Sequence, residues 1–411
     1  MMRPGLLAFA LILTFATMEN ARAGNTASAN SLLFLSRDDL AQLKMNLKAP
    51  DPDVAKYASV LRKAAKSALK KGPWSVTDQR APLPEAEVND FYSESPYWWP
   101  DPQHPMGSYI RKDGVRNPRR FTAHKEALVA FTQATFVLSA AAYLFDDDRY
   151  AERAKHLIEI WFLNPRTRMN PHARFAQVIP QSTQKRGVGI IDTRHLIYVI
   201  ESIELLRLAN SWSDERDAAV RTWFKEYLNW LLTSEYGRDE RTRGNNHSSW
   251  YALQVAAYGA YVGDAQVVRE TCQYGRDLLI ARQIARDGRQ PFELERTRAL
   301  DYSLFNLDAL ALLARLAERE NEDLWHWQNQ SGQTMIGAID YIVPYFDNPR
   351  RWPYAQLTTF QRQPRIFLYL AGEALKRPDL TERFVKAGPE NYIEEPLIFL
   401  AGMLTVSRNQ R

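Results

Sequence analysis

The stretch Thr122–Phe162 reads TAHKEALVAFTQATFVLSAAAYLFDDDRYAERAKHLIEIWF, and its reading decides the fold. Thr122 to Phe145 is a long helix with apolar residues at helical spacing. Asp148 to Phe162 is a second helix. Its Ala151, Ala154, Leu157, Ile158 and Trp161 recur at intervals of three and four, which places them on one face. The pattern continues outward on both sides. Toward the N-terminus, Ser36-Arg37-Asp38-Asp39 opens a helix with a capping serine and first-turn acids, and Val54 to Lys71 follows. Toward the C-terminus, helices are expected over Asp192–Asn210, Ser213–Thr233, His247–Val262, Ala265–Ala285, Thr297–Glu318 and Gly332–Val343. The last lie within Thr358–Leu375 and Glu394–Met403. Strand-like runs are few, and Gly187-Val188-Gly189-Ile190-Ile191 is the best extended candidate. Paired helices with short loops predict an all-α fold, an incomplete (α/α)n toroid of helix hairpins around a central cleft. Residues 36–405 are expected to form one domain.

The 411 residues include 53 Lys+Arg and 48 Asp+Glu, for a net charge of +5; 45% are hydrophobic and 25% charged. These values exclude global disorder and low-complexity fibres. The single cysteine, Cys272, excludes an intrachain disulfide, a CxxC zinc site and an iron–sulfur site. It falls inside an apolar helix and reads as core. Aromatic residues make up 12%, a content that suits a carbohydrate or polyanion surface. The N-terminus has Arg3, an apolar core from Gly5 to Thr17 and the cleavage signal Ala21-Arg22-Ala23. Residues 1–23 therefore read as a signal peptide, too short to span a bilayer, and 24–35 as a flexible lead. No later segment reads as a membrane span. An exported protein, periplasmic or secreted, with no membrane anchor after cleavage and a monomeric state are expected.

Two long insertions interrupt the helices. Gly72 to Phe121 carries eight prolines together with Tyr92, Tyr97, Trp98, Trp99 and Tyr109. Disordered segments avoid aromatics, so this one reads as a folded functional lid. Within it, Tyr97-Trp98-Trp99 fits a sugar-stacking platform, because a flat ring matches the apolar face of a pyranose. The same run also reads as a cluster pinning the loop. Asn164 to Gly189 is the second insertion; its Asn170 and Gln177 are read as substrate contacts.

The sharpest chemical signal is Arg241-Thr-Arg-Gly-Asn-Asn-His247-Ser-Ser-Trp-Tyr251, directly before an apolar helix. It reads either as a capping segment or, with Arg243 beside Asn246 and His247, as an anion-binding cluster at a helix N-terminus. Arg243 and Trp250 are taken as substrate contacts. The second signal is Pro291-Phe-Glu-Leu-Glu-Arg296-Thr-Arg-Ala-Leu-Asp-Tyr302. Arg298 and Tyr302, four apart, share a helix face. Arg296 and Tyr302 converge only if Arg296 stands at or before the helix start. A plain Glu/Arg ion-pair turn is the competing reading. No HExxH, GxSxG, Walker A or GxGxxG motif occurs, and the basic residues form no nucleic-acid motif.

Taken in order, Ser95-Pro-Tyr-Trp-Trp-Pro-Asp-Pro, Tyr109-Ile-Arg-Lys-Asp-Gly, Gly189-Ile-Ile-Asp-Thr, Asn245-Asn-His-Ser-Ser-Trp-Tyr, Glu293-Leu-Glu-Arg-Thr, Tyr302-Ser-Leu-Phe-Asn-Leu and Trp352-Pro-Tyr resemble the alginate lyase superfamily. The resemblance covers roughly residues 35–400. It implies an α/α-toroid lyase acting on an anionic polysaccharide, either alginate (mainly polymannuronate) or β-1,4-glucuronan. It implies Asn246, His247, Arg296 and Tyr302 as the catalytic set, with no metal or cofactor. It prefers Arg296 over Arg298, which is kept as a substrate contact. In such a lyase the C5 proton of a 4-linked uronate is removed and the C4 oxygen expelled. Asn246, His247 and Arg296 would neutralise the charge that develops on the carboxyl group. Tyr302 would act as base and then acid, with His247 as the alternative base. Two other classes compete: an inverting glycoside hydrolase using Asp192 with Glu293, and a non-catalytic polysaccharide-binding protein.

Overall fold

A helix that is apolar around most of its circumference has to be buried, and six helices among the described residues meet that description. The structure, a computed structural model, describes residues 32–104 and 107–408. Its principal helices are α1 (Arg37–Asn46), α2 (Pro52–Ala68), α3 (Ala123–Phe145), α4 (Asp148–Phe162), α5 (Ile197–Leu208), α6 (Asp214–Thr233) and α7 (Glu235–Arg241). They continue as α8 (Asn246–Val262), α9 (Ala265–Tyr274), α10 (Ala299–Ala317), α11 (Met335–Asp347), α12 (Ile366–Ala374), α13 (Pro378–Lys386) and α14 (Pro396–Arg408). The apolar helices α3, α5, α8, α10, α12 and α14 pack each on the next, and α14 meets α3 to complete the cycle. The cycle is thinnest at that last contact. Outer helices cover the ring: α2 and α4 lie on α3, α6 and α9 on α8, α11 on α10, and α13 on α12 and α14. This is the expected α/α toroid.

The hairpin that opened the sequence reading shows how the layers lock. The inward face of α4 is Tyr150, Ala151, Ala154, Leu157, Ile158, Trp161 and Phe162, as its spacing predicts. Trp161 lies flat on Phe131 of α3, with centroids 4.8 Å apart and planes inclined by 4°. Helix α3 is also long and apolar enough to cross a membrane by length and composition, contrary to the sequence expectation. It is an inner ring helix whose most apolar window is 78% buried in protein.

Several sequence expectations are corrected. The run Gly187–Ile191 is not a strand; it starts a 3-10 segment, Gly187–Leu196. Added Cβ atoms would lie 2.1 Å from the Tyr236 carbonyl oxygen at Gly187 and 2.1 Å from that of Ala176 at Gly189. The glycines permit backbone-to-backbone approach rather than extension. The expected helix Ala265–Ala285 passes through a π turn, Gly275–Ile280. Helices α7 and α13 were not expected. The proposed signal peptide, and the lead as far as residue 31, lie outside the described residues. The end of the lead is not flexible: Leu32, Leu33, Phe34 and Leu35 are buried. The Glu201 carboxylate of α5 accepts the backbone N–H groups of Leu33, Phe34 and Leu35 at 2.7, 3.3 and 3.1 Å.

The two insertions are stitched together over the ring. Strand β1 (Tyr92–Glu94) pairs in parallel with β4 (Phe175–Val178), and β2 (Trp98–Trp99) pairs antiparallel with β3 (Ile110–Arg111). His124 at the start of α3 accepts the Tyr92 N–H at 3.0 Å, which fixes the lid against the helix layer.

Burial pushes the Glu201 carboxyl up to about 8, against the three N–H groups that pull it down. Its unfolded value lies near 4.3, so the folded state holds the extra proton between the two values. This contribution to stability is complete below the unfolded value and is lost as pH rises through about 8. The melting temperature should therefore fall from pH 5 toward pH 8, and Glu201→Gln should flatten that slope in a thermal scan. A slope unchanged in the variant would refute the assignment.

Candidate active site

Inner helices α8 and α10 begin side by side, and the segments leading into them carry the chemistry. Asn245 caps α8 and accepts the His247 N–H at 3.1 Å, which fixes the first turn. His247 presents Nδ1 to Glu240 Oε1 of α7 at 2.7 Å. Glu240 is fully buried, and its other oxygen has no hydrogen-bond partner. The imidazole is thus oriented by a buried carboxylate, and its Nε2 has no protein partner among the described residues.

Arg296 stands just before α10, as convergence with Tyr302 requires. Its guanidinium lies over the Tyr302 ring, 3.9 Å from the centroid. Asp113 of the lid holds it there through two hydrogen bonds, 2.9 Å to Nη2 and 3.2 Å to Nε. Asp113 also accepts from Arg111 at 2.8 Å and from the Thr297 hydroxyl at 3.1 Å. Burial alone would raise its pKa, but the Arg296 hydrogen bonds and charge hold the carboxyl well below the usual range. Next to it, Gly114 adopts φ +75°, and a Cβ there would fall 2.4 Å from the Thr297 hydroxyl. The lid therefore docks on α10 through a turn that needs glycine. A second lid contact reaches the same helix: Tyr97 and Tyr302 share a hydrogen bond of 2.6 Å between their hydroxyls. Burial, then Tyr97, pushes the Tyr302 phenol above its ordinary value, and the Arg296 charge opposes them.

These groups border a cleft of about 190 Å³ lined by Tyr97, Trp98, Gln177, Asn245, His247 and four arginines: Arg111, Arg186, Arg243 and Arg296. No carboxylate lines it. Arg186 donates to Ser95 Oγ at 2.9 Å and makes no ion pair among the described residues. Burial, then the neighbouring Arg243 charge, lowers its pKa against the pull of Asp239 and Glu240. An anion entering the cleft would meet these guanidinium groups.

Of the residues singled out in the sequence, Tyr97, Trp98, Gln177, Arg243, His247 and Arg296 meet at the cleft, with Tyr302 bonded to Tyr97. The others do not line it. Asn246 is buried, and its amide donates to both Glu293 oxygens at 3.0 and 2.9 Å, so its neighbour Asn245 faces the cleft instead. Trp250 is buried one helical turn deeper, against Phe305 with centroids 4.8 Å apart and planes inclined by 30°. Asn170 ties the second insertion to the lid through Asp90 at 2.8 Å. Arg298 pairs with Asp301 at 3.0 Å. Trp99 is fixed to the lid by its indole N–H on the Val115 carbonyl at 3.0 Å. Asp192 and Glu293, the pair a hydrolase would use, are both buried. Asp192 is bound by Lys125, Ser93 and Gln177 at 2.6, 2.8 and 2.9 Å, and Glu293 by Asn246. Neither carboxylate faces the cleft. Sequence reasoning missed Arg111, Asp113, Arg186, Glu240 and Asn245; of these, Arg111, Asp113 and Asn245 stood inside motifs. Among the described residues, no three His, Cys, Asp or Glu side chains cluster to hold a metal ion.

The alginate lyase family model matches residues 75–352. Among solved structures, the chain is similar to an alginate lyase from Bacteroides ovatus, at 30% identity and a TM-score of 0.83, over 90% of this chain and 99% of that one. It shares its fold with alginate lyase A1-III from Sphingomonas species A1, at 16% identity and a TM-score of 0.51, over 79% of this chain and 86% of the other. No curated protein sequence matches the chain.

The lid's attachment is open to test. Asp113→Ala removes the carboxylate that joins Arg111, Arg296 and Thr297. Limited proteolysis within residues 72–121 should then be at least about tenfold faster, because local opening controls cleavage there. The overall melting transition should move little. An unchanged proteolysis rate would show that the strand pairings alone hold the lid.

Proposed function

The chain belongs to the alginate lyase family and is a polysaccharide lyase, and from that premise we propose that it cleaves 4-linked uronate polymers by β-elimination. The proposed substrate is polymannuronate or β-1,4-glucuronan. The observation that carries this reading is the Arg296–Tyr302–Tyr97 stack beside an arginine-lined cleft with no facing carboxylate. A hydrolase needs two carboxyl groups across the scissile bond, and the cleft supplies none.

In the proposed reaction the substrate carboxylate lies among His247, Arg296, Arg186 and Asn245. The Tyr302 phenolate takes the proton from C5. The electron pair left behind forms the C4–C5 double bond as the C4–O4 bond breaks. Tyr302 then returns the same proton to O4, which restores the phenolate and releases a 4,5-unsaturated end and a new chain end. The cationic groups offset the second negative charge that builds on the carboxyl group as C5 loses its proton. Asn246 acts through Glu293, positioning the start of α8. His247, held by Glu240, supports the carboxylate and is the alternative base. Export of a monomer, expected from the first 23 residues and the composition, forms part of the same proposal; cell fractionation and gel filtration test it.

Because the Tyr302 phenol is raised in the free enzyme, its basic form grows with pH. The initial rate should climb toward alkaline pH rather than peak at neutrality. Tyr302→Phe should lower turnover by about 10²–10⁴-fold while binding of the polymer persists. Absorbance from unsaturated uronate product measures both. Activity retained in the variant would move the base to His247, and silence of the wild type on every uronan would overturn the proposal. Glu240→Gln should reduce turnover by about tenfold or more at unchanged KM, since it releases the imidazole without touching the substrate.

A further inference from the structure

Beside the cleft lies a larger hollow of about 640 Å³, lined by Arg238, Arg241, Arg243 and Arg282 together with Tyr274 and Phe292. No acidic side chain lines it. Arg243 belongs to both hollows, so they adjoin at that residue. Many other arginines of the surface are tied to carboxylates, as Arg149 is to Asp147, Arg377 to Asp379 and Arg383 to Asp347, while others, such as Arg350 and Arg351, are not, among the described residues. In this hollow only Arg243 has such a partner, Asp239. Arg238 donates to the Thr233 carbonyl at 2.7 Å. The Arg241 guanidinium lies 4.8 Å from the Tyr274 ring centroid. Arg282 is exposed and makes no hydrogen bond or ion pair among the described residues. Guanidinium groups gathered on one concave surface with fewer counter-charges than cations repel each other and raise the local concentration of anions.

Two connections tie the hollow to the reaction. Arg238 and Arg241 are carried by α7, the helix whose Glu240 orients His247. Phe292, 43% exposed, immediately precedes Glu293, which holds Asn246. An exposed ring among planar cations matches a uronate polymer, whose sugars alternate an apolar face with a carboxylate that a guanidinium can grip through two hydrogen bonds.

We propose that this hollow is a distal subsite, which takes uronate residues of the same chain beyond those in the cleft, the polymer crossing over Arg243. It rests on the reaction proposed above and implies internal cleavage with a preference for longer chains.

The test is the triple variant Arg238→Ala, Arg241→Ala, Arg282→Ala, none of which lines the cleft. All three side chains are exposed, so its melting temperature should stay within about 2 °C of wild type. Steady-state kinetics use oligomannuronates and oligoglucuronates from trimer to octamer. Wild-type KM should fall with length by about tenfold, the sum of several exposed charge contacts. In the variant KM should stay flat while kcat on the trimer is unchanged. A variant that keeps the wild-type length dependence overturns the subsite. If the wild type cleaves no uronan, the proposed reaction fails separately, and the subsite is judged by electrophoresis through gels containing polymannuronate. Weaker retardation of the variant supports it there, and equal retardation overturns it.

Discussion

The ion pair between Asp113 and Arg296 joins the two parts of the molecule that cannot complete a site alone. The segment from Gly72 to Phe121 has too little regular structure to hold a shape by itself, and the start of α10 has an arginine whose position the helix does not dictate. Two parallel hydrogen bonds fix both at once. The pair is partly buried, with side chains 15% and 20% exposed, so desolvation offsets much of its attraction and it is a weak source of stability. Its effect is geometric: Arg296 is set over the Tyr302 ring, and Tyr97 is brought within a short hydrogen bond of the same phenol. The Gly114 turn, the Thr297 contact and the Arg111 contact all converge on the same carboxylate.

The ring explains why these groups meet. Helices α8 and α10 are neighbours in the inner layer, and each begins at the cleft. Their N-termini direct partial positive charge and unpaired N–H groups toward the same space, and the arginines add full charges to it. The proposed catalytic side chains come from the first turns of these helices and the segments entering them, while the rest of each helix is occupied with burial. Trp250 and Phe305, one turn further in, illustrate the division: they pack against each other behind the site, with the Arg194 guanidinium beside both rings, 5.5 and 5.3 Å from their centroids.

Much of this was legible in the sequence because it depends on local periodicity. The limits of α4 and the identity of the inner helices follow from apolar spacing, and the lid follows from proline and aromatic density. The preference for Arg296 over Arg298 came from motif resemblance; spacing pointed to Arg298, which turns to Asp301, while Arg296 lies over the Tyr302 ring. What stayed hidden depends on distant contacts. Gly187 and Gly189 look like strand punctuation until Tyr236 and Ala176 are seen against them. Helix α7 has little apolar periodicity, so Glu240 had no context, and Arg186 stands in no motif. Trp250 and Asn170 were misplaced because neighbouring positions in a motif do not reveal which face of a helix, or which end of a loop, meets solvent. Asn245 and Asn246 exchange roles for the same reason: the capping residue is the exposed one.

The grip of Glu201 on Leu33, Phe34 and Leu35 has its counterpart at the other end of the described chain. Arg319 donates to the Leu32 carbonyl at 3.1 Å, Asn46 of α1 donates to the Ser407 hydroxyl at 2.8 Å, and Arg408 of α14 reaches Asp39 at 2.6 Å. The first described helix, α1, is thus clasped by the last, α14. Contacts of such sequence separation form slowly, because the loop they close must first lose its freedom. During synthesis the α3–α4 hairpin can form from neighbouring sequence, but the ring has an open seam until α14 emerges. Assembly of this protein is therefore ordered in time: layers first, closure last, with the seam as the place where an unfinished chain exposes apolar helix surface to its surroundings.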